Sequence, residues 1–229
     1  MPDWSKRTFL KSAAAAAATL PLVTGAEAKP RADLPKRWNR AADVVVLGYG
    51  GAGACAAITA KDAGADVVIF EKCSEGGGNT AVSSGGMMIP NNRDRAYTYL
   101  AKTYAFANSV MDEELLSAFV DEAMKSKDFL MSLAPDQKLY IYGHAGFQNI
   151  PESDAIDKWR FRTPKGQKTR GGDMLFNNYR YAVETVRKIP VVYNARALEL
   201  ITENDEVLGV WVEINGKKVA VKARRGVVL

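Results

Sequence analysis

The chain has 229 residues, 47% hydrophobic and 25% charged, with a formal net charge of +5 at pH 7. That composition belongs to a folded globular protein and excludes a disordered or collagen-like one. With one histidine, His144, and two cysteines, Cys55 and Cys73, it excludes a Cys/His zinc site, a haem-attachment motif and a disulfide framework.

The first 28 residues read as an export signal peptide. Asp3 to Lys11 is polar and basic, Ser12 to Val23 is an alanine-rich apolar run, and Ala26-Glu27-Ala28 offers small residues at the two positions a signal peptidase reads. The run falls short of the roughly 20 residues a membrane span requires, so no span is expected in the mature chain. Ser5-Lys-Arg-Thr-Phe-Leu-Lys11 resembles the twin-arginine export signal, with lysine in place of the first arginine. Export to the periplasm or the exterior is the expectation, by that route, whose carriers commonly export proteins already folded around a cofactor. Residues 29–42 read as a polar linker carrying Pro30 and Pro35.

Asp43-Val-Val-Val-Leu47 is a short, continuous β-branched run of the kind that forms a strand buried on both faces of a parallel sheet. Gly48-Tyr-Gly50-Gly-Ala-Gly53 follows at once. Ala54 to Ala63 is small and helix-favouring, with Gly64 as its C-cap and Asp66 to Phe70 as a second strand. Inside such a strand-turn-helix-strand unit the glycine spacing has mechanical content. The first glycine permits a tight turn, the second lets the backbone approach a pyrophosphate, and the third lets helix and strand pack closely. The unpaired N–H groups and positive dipole end of the helix favour the dianionic bridge of a dinucleotide. Glu71 lies 18 residues beyond Gly53, where a carboxylate can accept hydrogen bonds from ribose hydroxyls and would repel a 2′-phosphate, which argues against NADP.

FAD and NAD both satisfy that half of a site. The next segment separates them, because Gly76 to Met88 is a second glycine-rich stretch rather than the helix and third strand of a simple nicotinamide enzyme. Such a loop can bring backbone amides and small hydroxyls against a long extended cofactor, which suits the flavin end of FAD. On composition alone a mobile surface loop is the other reading.

Asp94 to Ala107 and Asp112 to Leu133 show apolar residues at helical spacing, with Asp112-Glu-Glu114 well placed against a helix dipole. Tyr140 to Phe147 begins as a strand and breaks into a long irregular stretch to Gly172, a length that suggests a functional surface. Within it Lys158 to Arg170 is the one concentration of positive charge, either a meeting place for an anionic substrate or a plain surface loop. Elsewhere the cations are interleaved with acids and turns and form no basic helix face, so no nucleic-acid partner is expected. His144 reads as a surface or hydrogen-bonded imidazole. Asp173 to Val186 reads as a helix. Val191 to Ile201, Val207 to Ile214 and Lys218 to Lys222 read as strands split by Asn204-Asp205 and by the hairpin turn Asn215-Gly216. Cys55 and Cys73, near the same sheet edge, read as free thiols rather than a disulfide.

Val44 to Gly53, Glu71-Lys72, Gly77-Gly-Asn-Thr80 and Gly85-Gly-Met87 together resemble the FAD-binding domain of the fumarate reductase and succinate dehydrogenase flavoprotein family, which also includes 3-oxosteroid dehydrogenases and urocanate reductases. The resemblance runs more loosely through Gly171 to Leu175 and Val191 to Val212 to Gly226-Val-Val-Leu229. It implies an α/β fold of the Rossmann-like, glutathione-reductase type, with a parallel sheet and an inserted β-meander over residues 43–229. It also implies that the chain is the N-terminal part of a longer protein, whose capping domain would follow the strand at Arg225 to Leu229.

The cofactor-binding set implied is Gly48, Gly50, Gly51, Ala52 and Gly53 on the pyrophosphate, Glu71 at the ribose, and Asn79, Thr80, Gly85 and Gly86 on the flavin side, with Lys72, Gly78 and Ser84 as further cofactor-binding residues. Ala197 would meet the adenine through its backbone. Asn79 stands where respiratory members carry the histidine that bonds covalently to FAD, so a non-covalent flavin is implied. The activity implied is hydride transfer between flavin and a carbon–carbon bond next to a carbonyl or carboxylate, on a small-molecule substrate, with an exported electron-donor protein as a partner. A non-catalytic flavin-binding or electron-transfer module is the alternative. No catalytic acid or base is identifiable. Residues 1–229 alone are expected not to turn over substrate, and His144, Tyr140, Tyr142 and Arg160 to Arg170 are the first positions to mutate should they do so.

Overall fold

The protein is described by a computed structural model covering residues 34–133, 135, 137–144, 146–162 and 171–229. The leader and residues 29–33 of the linker therefore lie outside the described residues, and the linker's last three residues, 40–42, are already strand. Strand β1 (Arg40–Leu47) begins three residues before the expected start at Asp43, because Asn39 is already paired into the sheet: its N–H donates to the Ala220 carbonyl and its Oδ1 accepts from the Ala220 N–H. The chain turns at Gly48–Gly50, crosses over through α1 (Gly51–Asp62) and returns as β2 (Val67–Phe70), parallel to β1 with Val44 opposite Val67 and Leu47 opposite Phe70.

The valines bury both faces, as a continuous apolar run requires. Val46, Val67 and Ile69 pack under Ala54, Ala57 and Ile58 of α1, while Val45 and Phe70 face Val210, Val212 and Val221 on the other side. Alanine at 54 and 57 matters because small side chains let the helix sit close over the strands.

The middle of the chain makes α2 (Gly78–Val82), β3 (Met87–Pro90), α3 (Arg93–Phe106), α4 (Glu113–Met124), α5 (Ser126–Leu133), β4 (Leu139–His144) and β5 (Ile156–Phe161). Asn92 and Asp112 cap α3 and α4 by accepting the N–H groups of Arg95 and Leu115. The expected single helix from Asp112 to Leu133 is two helices, interrupted at Lys125. The expected irregular stretch after Phe147 is also corrected in part. A short 3-10 turn at Ser153–Ala155 leads into β5, which is the central strand of a small antiparallel sheet ordered β3-β5-β4. Sequence periodicity could not reveal β5, because Ile-Asp-Lys-Trp-Arg-Phe mixes apolar and charged residues and acquires its pairing only from β3 and β4.

Helix α6 (Gly171–Arg180) continues into a π-helical turn (Tyr181–Val186) where one helix to Val186 was expected. The expected strand from Val191 to Ile201 is two strands, β6 (Val191–Val192) and β7 (Ala195–Glu203), divided at Asn194, whose φ is +51°. There the chain leaves the parallel sheet and passes over the end of β2. Strand β8 (Glu206–Ile214) and strand β9 (Lys217–Val228) complete the meander. The segments read separately as Lys218–Lys222 and Arg225–Leu229 are one strand, β9, antiparallel to β8 in its first half and parallel to β1 in its second. The large sheet thus runs β6-β2-β1-β9-β8-β7, and the meander folds its apolar face back over β1 and β2.

This arrangement predicts that Ile69→Ala, at a fully buried position between sheet and helix, lowers the unfolding free energy by about 2–5 kcal/mol. Val110→Ala, at a position 97% exposed, changes it by less than about 0.5 kcal/mol. Urea denaturation of both variants is the check.

Candidate functional site

The glycine turn performs two of its three expected mechanical roles visibly. Gly48 has φ +98°, a conformation an L side chain rarely adopts, and a Cβ on Gly53 would fall on the Gly48 carbonyl and against Val46 at 3.3 Å. Helix α1 starts with Gly50 as its N-cap, without a side-chain cap and without an acid in its first turn, and its first intrahelical bond runs from the Ala54 N–H to the Gly50 carbonyl. The Gly51 N–H donates to the Thr80 hydroxyl at 3.0 Å. The Ala52 and Gly53 amides remain as helix-end donors without an intrahelical acceptor, with Ala52 exposed. Thr80, expected on the flavin side, is thus also the residue that holds the first turn of α1.

Glu71 is the best-anchored member of the site. Its side chain is buried, and its two oxygens accept hydrogen bonds from the Tyr49 N–H at 2.7 Å and the Cys73 N–H at 2.9 Å. Its own backbone is paired on both sides, donating to the Val192 carbonyl and accepting from the Ala195 N–H. A carboxylate offers about four acceptor positions, so two are left for hydroxyl donors. Glu71, Gly48, Lys72 and Ala197 line one cleft of about 430 Å3, together with Leu47, Phe70, Ala195 and Arg196. Residues more than 120 positions apart meet there because β7 crosses the carboxyl edge of β2. The sequence reading missed Arg196 and Ala195 in this wall, and no local signal marks them, since their position follows from the crossing at Asn194.

Tyr49, the variable residue of the glycine turn, is fully buried with its ring edge-on to Phe176 at 5.1 Å and tilted against Tyr193 at 6.2 Å. Burial first, then the neighbouring Glu184 carboxylate, pushes its phenol well above the ordinary value. The turn is therefore anchored beneath by an aromatic wedge as well as above by Glu71.

The second glycine stretch is a packed element rather than an open loop. The Gly77 N–H donates to the Tyr49 carbonyl at 2.7 Å, which joins the two glycine segments directly, and α2 presents Asn79 and Gly78 to the outside. Ser83 accepts from the Gly85 N–H through its hydroxyl and from the Gly172 N–H through its carbonyl. Gly85 is buried against the Gly171 carbonyl, whereas Ser84 and Gly86 are exposed. Gly48 to Gly53 and Gly78 to Gly86 thus form adjoining walls, with Glu71, Lys72 and Ala197 beyond the first.

His144 lies away from the cleft on β4, with Nδ1 3.1 Å from the Asp157 Oδ1, which also accepts from the Asn91 side-chain amide. Cys55 and Cys73 are free thiols. Burial pushes the Cys55 thiol up, although its bond to the Tyr179 hydroxyl works the other way. No helix among the described residues is long and apolar enough to cross a membrane.

Residues 43–229 match the family described as "FAD binding domain". The chain belongs to this family. It is 29% identical over 213 residues to the 3-oxo-5-alpha-steroid 4-dehydrogenase of Comamonas testosteroni, covering 78% of this chain and 38% of that protein. It is 30% identical over 185 residues to the NADH:fumarate oxidoreductase of Klebsiella pneumoniae, covering 77% of this chain and 19% of that protein. The fold superimposes with a TM-score of 0.71, at 28% identity, on 3-ketosteroid-delta4-(5alpha)-dehydrogenase from Rhodococcus jostii, covering 85% of this chain and 46% of that one. The chain spans less than half the length of these relatives.

FAD is the family's cofactor, and the residues present fit its nucleotide half. Two free helix-end amides suit a pyrophosphate, a braced carboxylate suits ribose hydroxyls, and the cleft under Ala197 has room for a base. Glu71→Ala is expected to destabilise even the cofactor-free chain by about 1–3 kcal/mol for each of the two orphaned amides. Thermal denaturation of the apoprotein is the measurement, and an unchanged midpoint would mean that the Tyr49 and Cys73 amides find other acceptors.

Proposed function

We propose that this chain is the flavin-binding part of an exported, FAD-dependent oxidoreductase that transfers a hydride between flavin and a carbon–carbon bond next to a carbonyl or carboxylate. The observation that carries the reading is the single cleft in which Gly48, Glu71, Lys72 and Ala197 converge beside the α1 N-terminus. Relatives named for 3-oxosteroid and fumarate oxidoreduction support the reaction class, because both substrates carry an activating oxygen group beside the bond concerned. FAD, when bound, supplies the two-electron chemistry.

The chain's own residues then have distinct tasks. Ala52 and Gly53 donate amides to the pyrophosphate, where the dipole end of α1 adds favourable charge. Glu71 accepts from the ribose while keeping the Tyr49 amide in place. The backbone at Ala197 bounds the adenine. Gly78, Asn79, Thr80, Ser84, Gly85 and Gly86 line the flavin side, and with asparagine at position 79 the flavin is held without a covalent bond. A small-molecule substrate and an exported electron-donor protein are the partners this reading requires.

Two measurements test it. The purified chain should show the visible absorption bands of oxidised flavin, and Glu71→Arg should lose them, because the change removes the ribose acceptor, adds a clash and leaves the Tyr49 and Cys73 amides without their acceptor. Flavin retained at the wild-type level by Glu71→Arg would contradict the assignment. Export with cleavage after Ala28 should leave Lys29 as the N-terminus of the secreted protein by mass spectrometry, whereas Met1 in the mature, active pool would contradict it.

A further inference from the structure

Of the positive charge singled out between Lys158 and Arg170, the described residues Lys158, Arg160 and Arg162 do not line the cofactor cleft. Most arginines that lie near acids here are neutralised internally: Arg93 by Asp121, Arg95 by Glu152 and Asp154, Arg187 by Asp62, and Arg224 by Asp43 and Asp66. Arg160 is different. Among the described residues no carboxylate lies within 4.0 Å of it, and its Nε is shielded from solvent without a hydrogen-bond acceptor. The sequence from Thr163 to Arg170 contains no aspartate or glutamate either.

The guanidinium is nonetheless held in position. It lies over the Tyr142 ring at 4.4 Å, and Arg162 repeats the arrangement over Tyr140 at 4.9 Å. Tyr142 sits at the irregularity in the β4–β5 pairing, between Ile141 opposite Trp159 and Gly143 opposite Lys158. Such bulges re-aim a side chain, and here the Tyr142 hydroxyl comes down on Gly86, where a Cβ would collide with it. Arg160 Nε meanwhile lies 3.2 Å from where a Gly171 Cβ would be, next to the Ser84 carbonyl. A pre-positioned guanidinium with no carboxylate partner among the described residues thus stands at the exposed end of the Ser84–Gly86 turn.

We propose that Arg160, stacked on Tyr142 beside Gly86, is the residue with which this chain recognises the carboxylate of an anionic substrate. A planar guanidinium matches a carboxylate through two parallel hydrogen bonds, and stacking on an aromatic ring leaves its edge donors free to make them. The inference rests on the flavin reading of Ser84 to Gly86 and adds a substrate class to it: a small carboxylate rather than an uncharged steroid.

The test is calorimetric titration of the FAD-loaded chain, at fixed ionic strength, with malonate and with its uncharged analogue malonamide, neither of which reacts with flavin. Wild type should bind malonate and not malonamide. Arg160→Gln should weaken malonate binding about 10- to 100-fold with unchanged FAD content, Arg160→Lys should fall between the two, and Arg162→Gln should change it less than Arg160→Gln. Should Arg160→Gln fail to fold, Arg160→Lys carries the comparison, with a several-fold weakening expected. Equal malonate affinity in wild type and the Arg160 variants, or none in the wild-type holoprotein, would overturn the proposal. So would loss of FAD from Arg160→Gln, since the guanidinium would then serve the cofactor. A wild-type chain that takes up no FAD at all would instead defeat the flavin reading on which the proposal rests.

Discussion

The Glu71 carboxylate is the point through which the parts of this protein hold one another. It sits at the end of β2 and accepts the Tyr49 amide of the glycine turn on one oxygen and the Cys73 amide on the other. Its backbone is bonded to Val192 and Ala195, where the chain leaves the parallel sheet for the meander. One residue therefore fixes the turn between β1 and α1, the exit from β2 and the start of β7. Hydrogen bonds to a charged acceptor are worth roughly twice neutral ones, and buried amides left without a partner are costly. The same group can therefore brace the fold and present its remaining lone pairs to a ribose.

From that brace the two glycine-rich segments follow. Tyr49 fills the space beneath the turn against Phe176, and its carbonyl accepts the Gly77 amide, so the first segment positions the second. Thr80 returns the contact by accepting the Gly51 amide. The second segment is held in turn by α6, whose Gly172 amide reaches the Ser83 carbonyl and whose Gly171 leaves room for Ser84 and Gly85. The walls that would face the two ends of an extended dinucleotide are thus mutually dependent, and the small antiparallel sheet carrying Tyr142 and Arg160 adjoins the far one.

What the sequence made legible was whatever depended on local spacing. The valine run, the glycine turn, the alanine-rich helix and the acid at the end of the second strand occupy one continuous stretch of chain, and each signal constrains its neighbour, so β1, α1, β2 and Glu71 could be read directly. The hairpin at Asn215-Gly216 was legible for the same reason. Other features were set by partners distant in sequence. Strand β5 has no clean alternation and exists because β3 and β4 flank it. The division of β6 from β7 follows from the need to cross Glu71, and the union of two apparent strands into β9 follows from its pairing with β8 at one end and β1 at the other. Within the site, sequence reasoning gave Glu71 a ligand role but not its structural one, because an acceptor's partners among backbone amides leave no trace in residue identities. It likewise saw the charge around Arg160 without the aromatic ring that holds it.

The central claim is that the turn at Gly48 to Gly53 and the carboxylate of Glu71 recognise the ADP half of FAD. The most direct measurement is a competition titration of the apoprotein, following the quenching of flavin fluorescence. The account predicts that FAD binds with one-to-one stoichiometry, that ADP displaces it, and that FMN, which carries the same flavin without the adenosine half, binds far more weakly. FMN bound as tightly as FAD, or FAD indifferent to excess ADP, would contradict it.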